Sequence, residues 1–84
     1  MHYNLFQEKI IQNLDDMAEA LEDYELDEFY VTIEFDKGEG GFKASFFELK
    51  DGNPIAETEE WGTNKNNLIE DIKSVFGEDV DIEF

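Results

Sequence analysis

The stretch 15-DDMAEALEDYELDEFYVTIEFD-36 reads as a helix running into a strand, and it holds ten acidic residues and no basic one. Met17, Leu21 and Tyr24 recur at helical spacing in its first half. Phe29, Val31, Ile33 and Phe35 alternate with Glu28, Tyr30, Thr32, Glu34 and Asp36 in its second, the period of two expected of a strand with one face on a core. Like charges three or four apart on a helix each cost roughly 0.2–0.5 kcal/mol, yet Asp15/Glu19, Glu19/Glu22 and Glu19/Asp23 are such pairs. Glu22, Asp23 and Glu25 also crowd the expected C-terminal end of the helix, where the macrodipole is already negative. A cost accepted this often points to a negative surface that is itself of use.

On the N-terminal side, Asn4 can cap a helix with Gln7 in the capping-box position. The series Phe6, Ile10, Leu14, Met17, Leu21 and Tyr24 then predicts a first helix over Leu5–Tyr24. Ile11 and Ala18 widen its apolar side, and Glu8, Gln12, Asp15, Asp16, Glu19, Glu22 and Asp23 fall on the outer side.

On the C-terminal side, Lys37–Gly41 is a glycine-rich turn and Phe42–Leu49 a second strand, which together predict a hairpin. Phe42, Ala44 and Phe46 share one face of that strand, whereas Phe47 and Leu49 lie in the other phase. Two explanations are open: a bulge near Phe46-Phe47, or partial cover on the far face. Asp51-Gly52-Asn53-Pro54 is a second turn. The strand after it, Ile55–Trp61, is polar enough to suit a sheet edge. Gly62-Thr63-Asn64 breaks the chain, Leu68, Ile69, Ile72, Val75 and Phe76 mark a second helix ended by Gly77, and Val80, Ile82 and Phe84 alternate as a last strand.

The order α-β-β-β-α-β predicts one α+β domain over residues 1–84, an antiparallel meander with its helices on one face of the sheet. The last strand, if it joins that sheet, can return by a right-handed crossover.

With 84 residues, 40% of them hydrophobic and eight of them Phe, the chain has the composition of a folded domain and not of an acidic disordered tail. Its 23 acids face six lysines and no arginine, a net charge of −17. That balance favours basic partners and opposes direct binding of nucleic acid or of an anionic membrane. There is no cysteine, so no disulfide or thiolate metal site is available. No segment has the length of a membrane span or the apolar run of a signal peptide, and a cytoplasmic location is expected.

Catalytic raw material is thin. His2 is the single histidine, Ser45 and Ser74 have no other histidine to activate them, and arginine for a phosphate clamp is absent. Neither Asp36–Gly41 nor Asp51–Pro54 satisfies the EF-hand loop. The expectation is a protein that is not an enzyme and carries no cofactor. Trp61 has two readings: an interface anchor beside Glu57, Glu59 and Glu60, or a ring that covers the end of the core between sheet and second helix.

The run from Phe6 through Ile55, an amphipathic helix followed by FYVTIEFD, a glycine turn and GFKASFFELKDG, resembles the opening of the YezG-type family of bacterial immunity proteins. The resemblance implies a protein that binds and neutralises a cognate toxin, often a nuclease. In size and acidity the chain is also similar to phage inhibitors that imitate DNA, of the uracil-DNA glycosylase inhibitor and anti-CRISPR kinds. Both lead to one expected mechanism, in which an acidic domain occupies the basic groove of a nucleic-acid-acting enzyme. The expected contacts are Asp15, Asp16, Glu19, Glu22 and Asp23, with Glu25, Asp27 and Glu28, and secondarily Glu57, Glu59, Glu60 and Trp61. The competing expectation is a non-inhibitory adaptor whose charge serves solubility.

Overall fold

The alternation that starts at Phe29 does form a strand in the computed structural model, which describes residues 9–83. Strand β2 (Phe29–Asp36) pairs antiparallel with β3 (Gly41–Glu48), from Phe29 opposite Glu48 to Asp36 opposite Gly41, and β3 pairs antiparallel with β4 (Pro54–Thr58). Two short strands complete the sheet by running parallel to their neighbours: β1 (Lys9–Ile11) beside β4, and β5 (Ile82–Glu83) beside β2. The order is β1-β4-β3-β2-β5, a mixed five-stranded sheet around the expected meander.

Helices α1 (Leu14–Ala20) and α2 (Lys65–Phe76) cover one face. Met17, Ala20 and Leu21 from the first, and Leu68 and Ile72 from the second, are buried with Ile11, Phe29, Val31, Ala44, Phe46 and Ala56. Phe29, Phe46 and Phe76 form the aromatic centre, with ring centroids 5.2 to 6.1 Å apart, inside the range in which tilted and edge-to-face pairs attract. On the opposite face Tyr30 and Phe47 stack at 5.4 Å. Phe47 lies out of phase with Phe46 because it faces that side. A register shift also sits at Phe46/Phe47, where β4 supplies the extra residue Ile55.

The first helix differs from the expected Leu5–Tyr24. Its cap at Asn4 and the residues through Glu8 lie outside the described residues, as do His2 and Phe84. Over Lys9–Ile11 the chain is a strand instead, and the cap is Asn13, whose Oδ1 accepts the Asp16 N–H at 2.9 Å while Asp16 Oδ2 accepts the Gln12 N–H at 3.1 Å. Strand geometry sends Ile11 into the core and leaves Ile10 outside at 50% exposure. Leu14, at the first turn, is exposed as well.

The third strand of the meander, β4, is not at an edge, because β1 pairs with its outer side. Its polar residues are accommodated there by face. Glu57 lies in the same cross-strand row as Ser45 and Ile10, away from the helices. Thr58 is buried, and its Oγ1 accepts the Ala44 N–H at 2.9 Å. The second helix is as expected, capped by Asn64, whose Oδ1 accepts the N–H of Asn66 at 2.9 Å and of Asn67 at 3.4 Å. It ends at Gly77, where φ is 100° and the lack of a Cβ removes the penalty of that conformation.

Candidate functional site

The chain leaves α1 at Leu21 and reaches β2 through a single 3-10 turn, Leu26–Glu28. Glu25 and Glu28 close that turn on each other: the Glu25 N–H donates to the Glu28 side chain at Oε1, 2.8 Å, and the Glu28 N–H to the Glu25 carbonyl at 2.9 Å. The far end of β3 comes alongside, since the Leu49 N–H donates to the Glu28 carbonyl at 2.9 Å. The turn that follows is closed by Gly52 N–H to Glu48 O and Glu48 N–H to Asn53 O, both 2.8 Å. Two acidic segments distant in sequence therefore meet at one end of the sheet, and the Val31 N–H, donating to the Asp81 carbonyl at 2.9 Å, brings a third beside them.

Their meeting leaves a cleft of about 550 Å³ lined by Asp23, Tyr24, Asp27, Glu28, Glu48, Leu49, Lys50 and Asp51. A second hollow of about 560 Å³ adjoins it, lined by Glu25, Leu26, Asp27, Phe29, Leu49, Asp79 and Asp81. Asp27 and Leu49 belong to both, so Leu49 stands as a ridge between them. The first hollow carries five carboxylates and the second adds three, against the single lysine Lys50.

Glu48 is the most firmly oriented of these acids. Its Oε2 accepts the Tyr24 hydroxyl at 2.7 Å and its Oε1 the Asn53 amide at 3.3 Å. The bond to Glu48 is the main reason that the Tyr24 hydroxyl is pushed up to about 12, with burial and the charges of Glu48, Asp23 and Glu28 acting in the same direction. Ionised Tyr24 would face carboxylates with no proton to share.

Of the residues singled out from sequence, the fold brings Asp23, Glu25, Asp27 and Glu28 together here. Asp15 and Asp16 sit in the first turn of α1, exposed or half-buried, where the positive end of the helix dipole favours them. Glu19 and Glu22 are exposed around the end of the same helix. Glu57 lines a separate hollow of about 390 Å³ with Glu34, Asp36, Lys37 and Lys43. Glu59 and Glu60 lie exposed beyond β4, and the Glu60 side chain crosses Gly41 so closely that a Cβ there would collide with it. Trp61 is half-buried against the core, and its Nε1–H donates to Asp71 Oδ2 at 2.8 Å. That position matches the second of its two readings, a cover for the core.

Absent from the expected contacts are Glu48, Asp51, Asp79 and Asp81, and the apolar pair Leu26 and Leu49. Leu49 gave a signal, as a large apolar residue out of phase at the end of a strand. Among the described residues no cluster of His, Cys, Asp or Glu is arranged to hold a metal ion, and no helix is long and apolar enough to cross a membrane. No family model, curated protein or solved structure matches the chain.

Proposed function

We propose that the protein is an acidic inhibitor that binds the basic groove of a nucleic-acid-acting enzyme and blocks it by stoichiometric occupancy, as a toxin-immunity or phage anti-defence protein would. The observation that carries this reading is the gathering of eight carboxylates and one lysine around a concave end of the sheet. Such an arrangement steers a positively charged partner over distance and pairs with its lysines and arginines at contact. Carboxylates then stand where the phosphates of the substrate would, and the enzyme is blocked without any reaction.

A non-inhibitory adaptor is the second reading. It is favoured by a different feature, the half-exposed Phe35 and its ring neighbour Phe42 at the other end of the hairpin, which would serve a mainly apolar contact.

The two part in one experiment. The immobilised protein is incubated with host lysate at low salt, washed at raised salt, and the eluted enzyme is assayed on nucleic acid with increasing amounts of the protein. Inhibition that reaches completion near one equivalent and weakens with salt is the expected result. A neutral partner that resists salt and has no nucleic-acid activity would replace the inhibitor reading with the adaptor.

A further inference from the structure

We propose that Asp51-Gly52, in the turn between β3 and β4, is a site of spontaneous covalent modification, at which the Asp51 side chain closes on the Gly52 nitrogen to a succinimide that reopens as isoaspartate. The proposal is independent of the inhibitory function.

Ring closure needs an unhindered amide nitrogen directly after an aspartate or asparagine, because a side chain on the next residue crowds the approach of that nitrogen. Among the aspartates and asparagines of the chain, Asp51 alone precedes glycine. Asn53 precedes Pro54, which has no N–H to lose.

The fold leaves this position open. Asp51 and Gly52 are both exposed. Gly52 has φ 72°, and a Cβ built on it would meet no atom within 4 Å, so no neighbour crowds the ring as it closes. Asp16 and Asp71 lie within helices, whose ladder fixes the backbone around them. The Asp36 carboxylate is engaged by Lys43 and by the N–H groups of Gly38 and Glu39. At Asp51-Gly52 the restraint is the Gly52 N–H, which donates to the Glu48 carbonyl at 2.8 Å. The nitrogen attacks when that bond opens, and opening an exposed turn costs far less than unfolding the sheet.

The reaction consumes nothing but water. The Gly52 nitrogen bonds to Asp51 Cγ, the carboxyl C–OH bond breaks, and the hydroxyl leaves with the amide proton as water. Water then adds to either ring carbonyl. Release of the nitrogen from Cγ restores Asp51. Release from the main-chain carbonyl leaves the chain running through Cγ, one methylene longer, with a free carboxylate on Cα. The added backbone atom alters the spacing of the two 2.8 Å bonds that close the turn on Glu48.

The test holds the full chain at neutral pH and physiological temperature. Isoaspartate is counted at intervals by an isoaspartyl methyltransferase, which transfers a labelled methyl group from S-adenosylmethionine, and tandem mass spectrometry places it. A peptide of residues 47–55 runs alongside as a measure of the unrestrained reaction. The expected result is label that accumulates at position 51 of the native chain, more slowly than in the peptide, and that is lost in Asp51→Glu, whose longer side chain would have to form a larger ring. Circular dichroism checks that the variant keeps the native fold. Label that persists in Asp51→Glu, that maps to another residue, or that stays absent from the native chain after the peptide has converted overturns the proposal.

Discussion

The two ends of the β2–β3 hairpin expose a large apolar side chain to nearly the same extent, Phe35 at 50% and Leu49 at 53%, yet their surroundings differ. Phe35 has a ring partner, Phe42, at 5.0 Å in an edge-to-face arrangement. The nearest carboxylate, Asp36, is compensated: Lys43 Nζ lies 2.9 Å from Asp36 Oδ2, and the N–H groups of Gly38 and Glu39 close on Asp36 Oδ1. Leu49 shares its hollows with Tyr24 and Phe29 instead, and the acids there outnumber the one lysine. Exposure of an apolar residue is therefore not in itself a sign of a site. Exposure among charges that the fold leaves uncompensated is the stronger indication, because a partner of opposite sign can relieve both.

The largest effect should come from reversing charge at one end and not the other. Replacing Asp23, Asp27 and Asp51 together by Lys should weaken inhibition by about 100-fold or more, since charge pairs that become desolvated at a contact carry several kcal/mol. Glu34→Lys with Glu39→Lys, at the hairpin end, should change binding by less than about threefold. Similar losses from both would mean that net charge, and not its placement, governs association.

Next comes Tyr24→Phe, which removes the hydroxyl from Glu48 and should cost about 1 kcal/mol, a typical net hydrogen bond. The linked pH dependence has a definite sign. Tyr24 rises from 10.0 to about 12 on folding, so its contribution is complete below the unfolded value and is lost as pH climbs through the folded one. Ultraviolet titration of the native protein should show a tyrosine ionising late, and Tyr24→Phe should abolish that step; a titration unaltered by the substitution would contradict the bond to Glu48.

A comparable effect is expected of salt. Adding about 0.15 M salt should raise the unfolding temperature by a few degrees, because repulsion among the carboxylates is screened beyond roughly 8 Å. The rise should shrink when Asp23, Asp27 and Glu28 are changed to their amides. An unfolding midpoint that falls on adding salt would show that screening of attractive pairs dominates.

The smallest effect belongs to the hairpin end. Lys43, with the backbone N–H groups of Glu39 and Gly38, holds the Asp36 carboxyl below the usual carboxylate range, and Asp36 in turn raises Lys43. The Asp36 contribution is present above the ordinary carboxylate value and lost as pH falls through its lowered one. That of Lys43 is present below the ordinary lysine value and lost as pH rises through its raised one. Urea midpoints should show Asp36→Asn slightly less stable at neutral pH and equal to the native protein in acid; a difference that persists in acid would place its cause in the turn geometry.

Where the cause of a structure lies within a few residues, the sequence was readable. The strand from Phe29, the glycine turn and the helix closed by Gly77 all follow from local spacing, whereas the two explanations open at Phe46-Phe47 were resolved by the pairing with β4 and the stacking on Tyr30. The first helix misled because Ile10 and Leu14 stand four apart, a helical spacing, while the reason for a strand over Lys9–Ile11 is its pairing with Ala56–Thr58. A local signal did exist in Asn13 with Asp16 three residues later, a capping pattern that competes with the one at Asn4. The same distant pairing took β4 off the edge. Trp61 shows the limit from the other side, because only its bond to Asp71 on α2 distinguishes a core cover from an exposed anchor.

Charge and periodicity were determined by the sequence alone: an acidic α+β chain with a meander at its centre. The placement of that charge was decided by tertiary structure. Asp23 to Glu28, Glu48 to Asp51, and Asp79 with Asp81 converge because β2 lies between β3 and β5, and no spacing along the chain encodes which strands become neighbours. The hydrophobic effect favours that arrangement by burying Phe29, Phe46 and Val80 in one core with Phe76 packed against it, and the acids are carried to one end as a consequence.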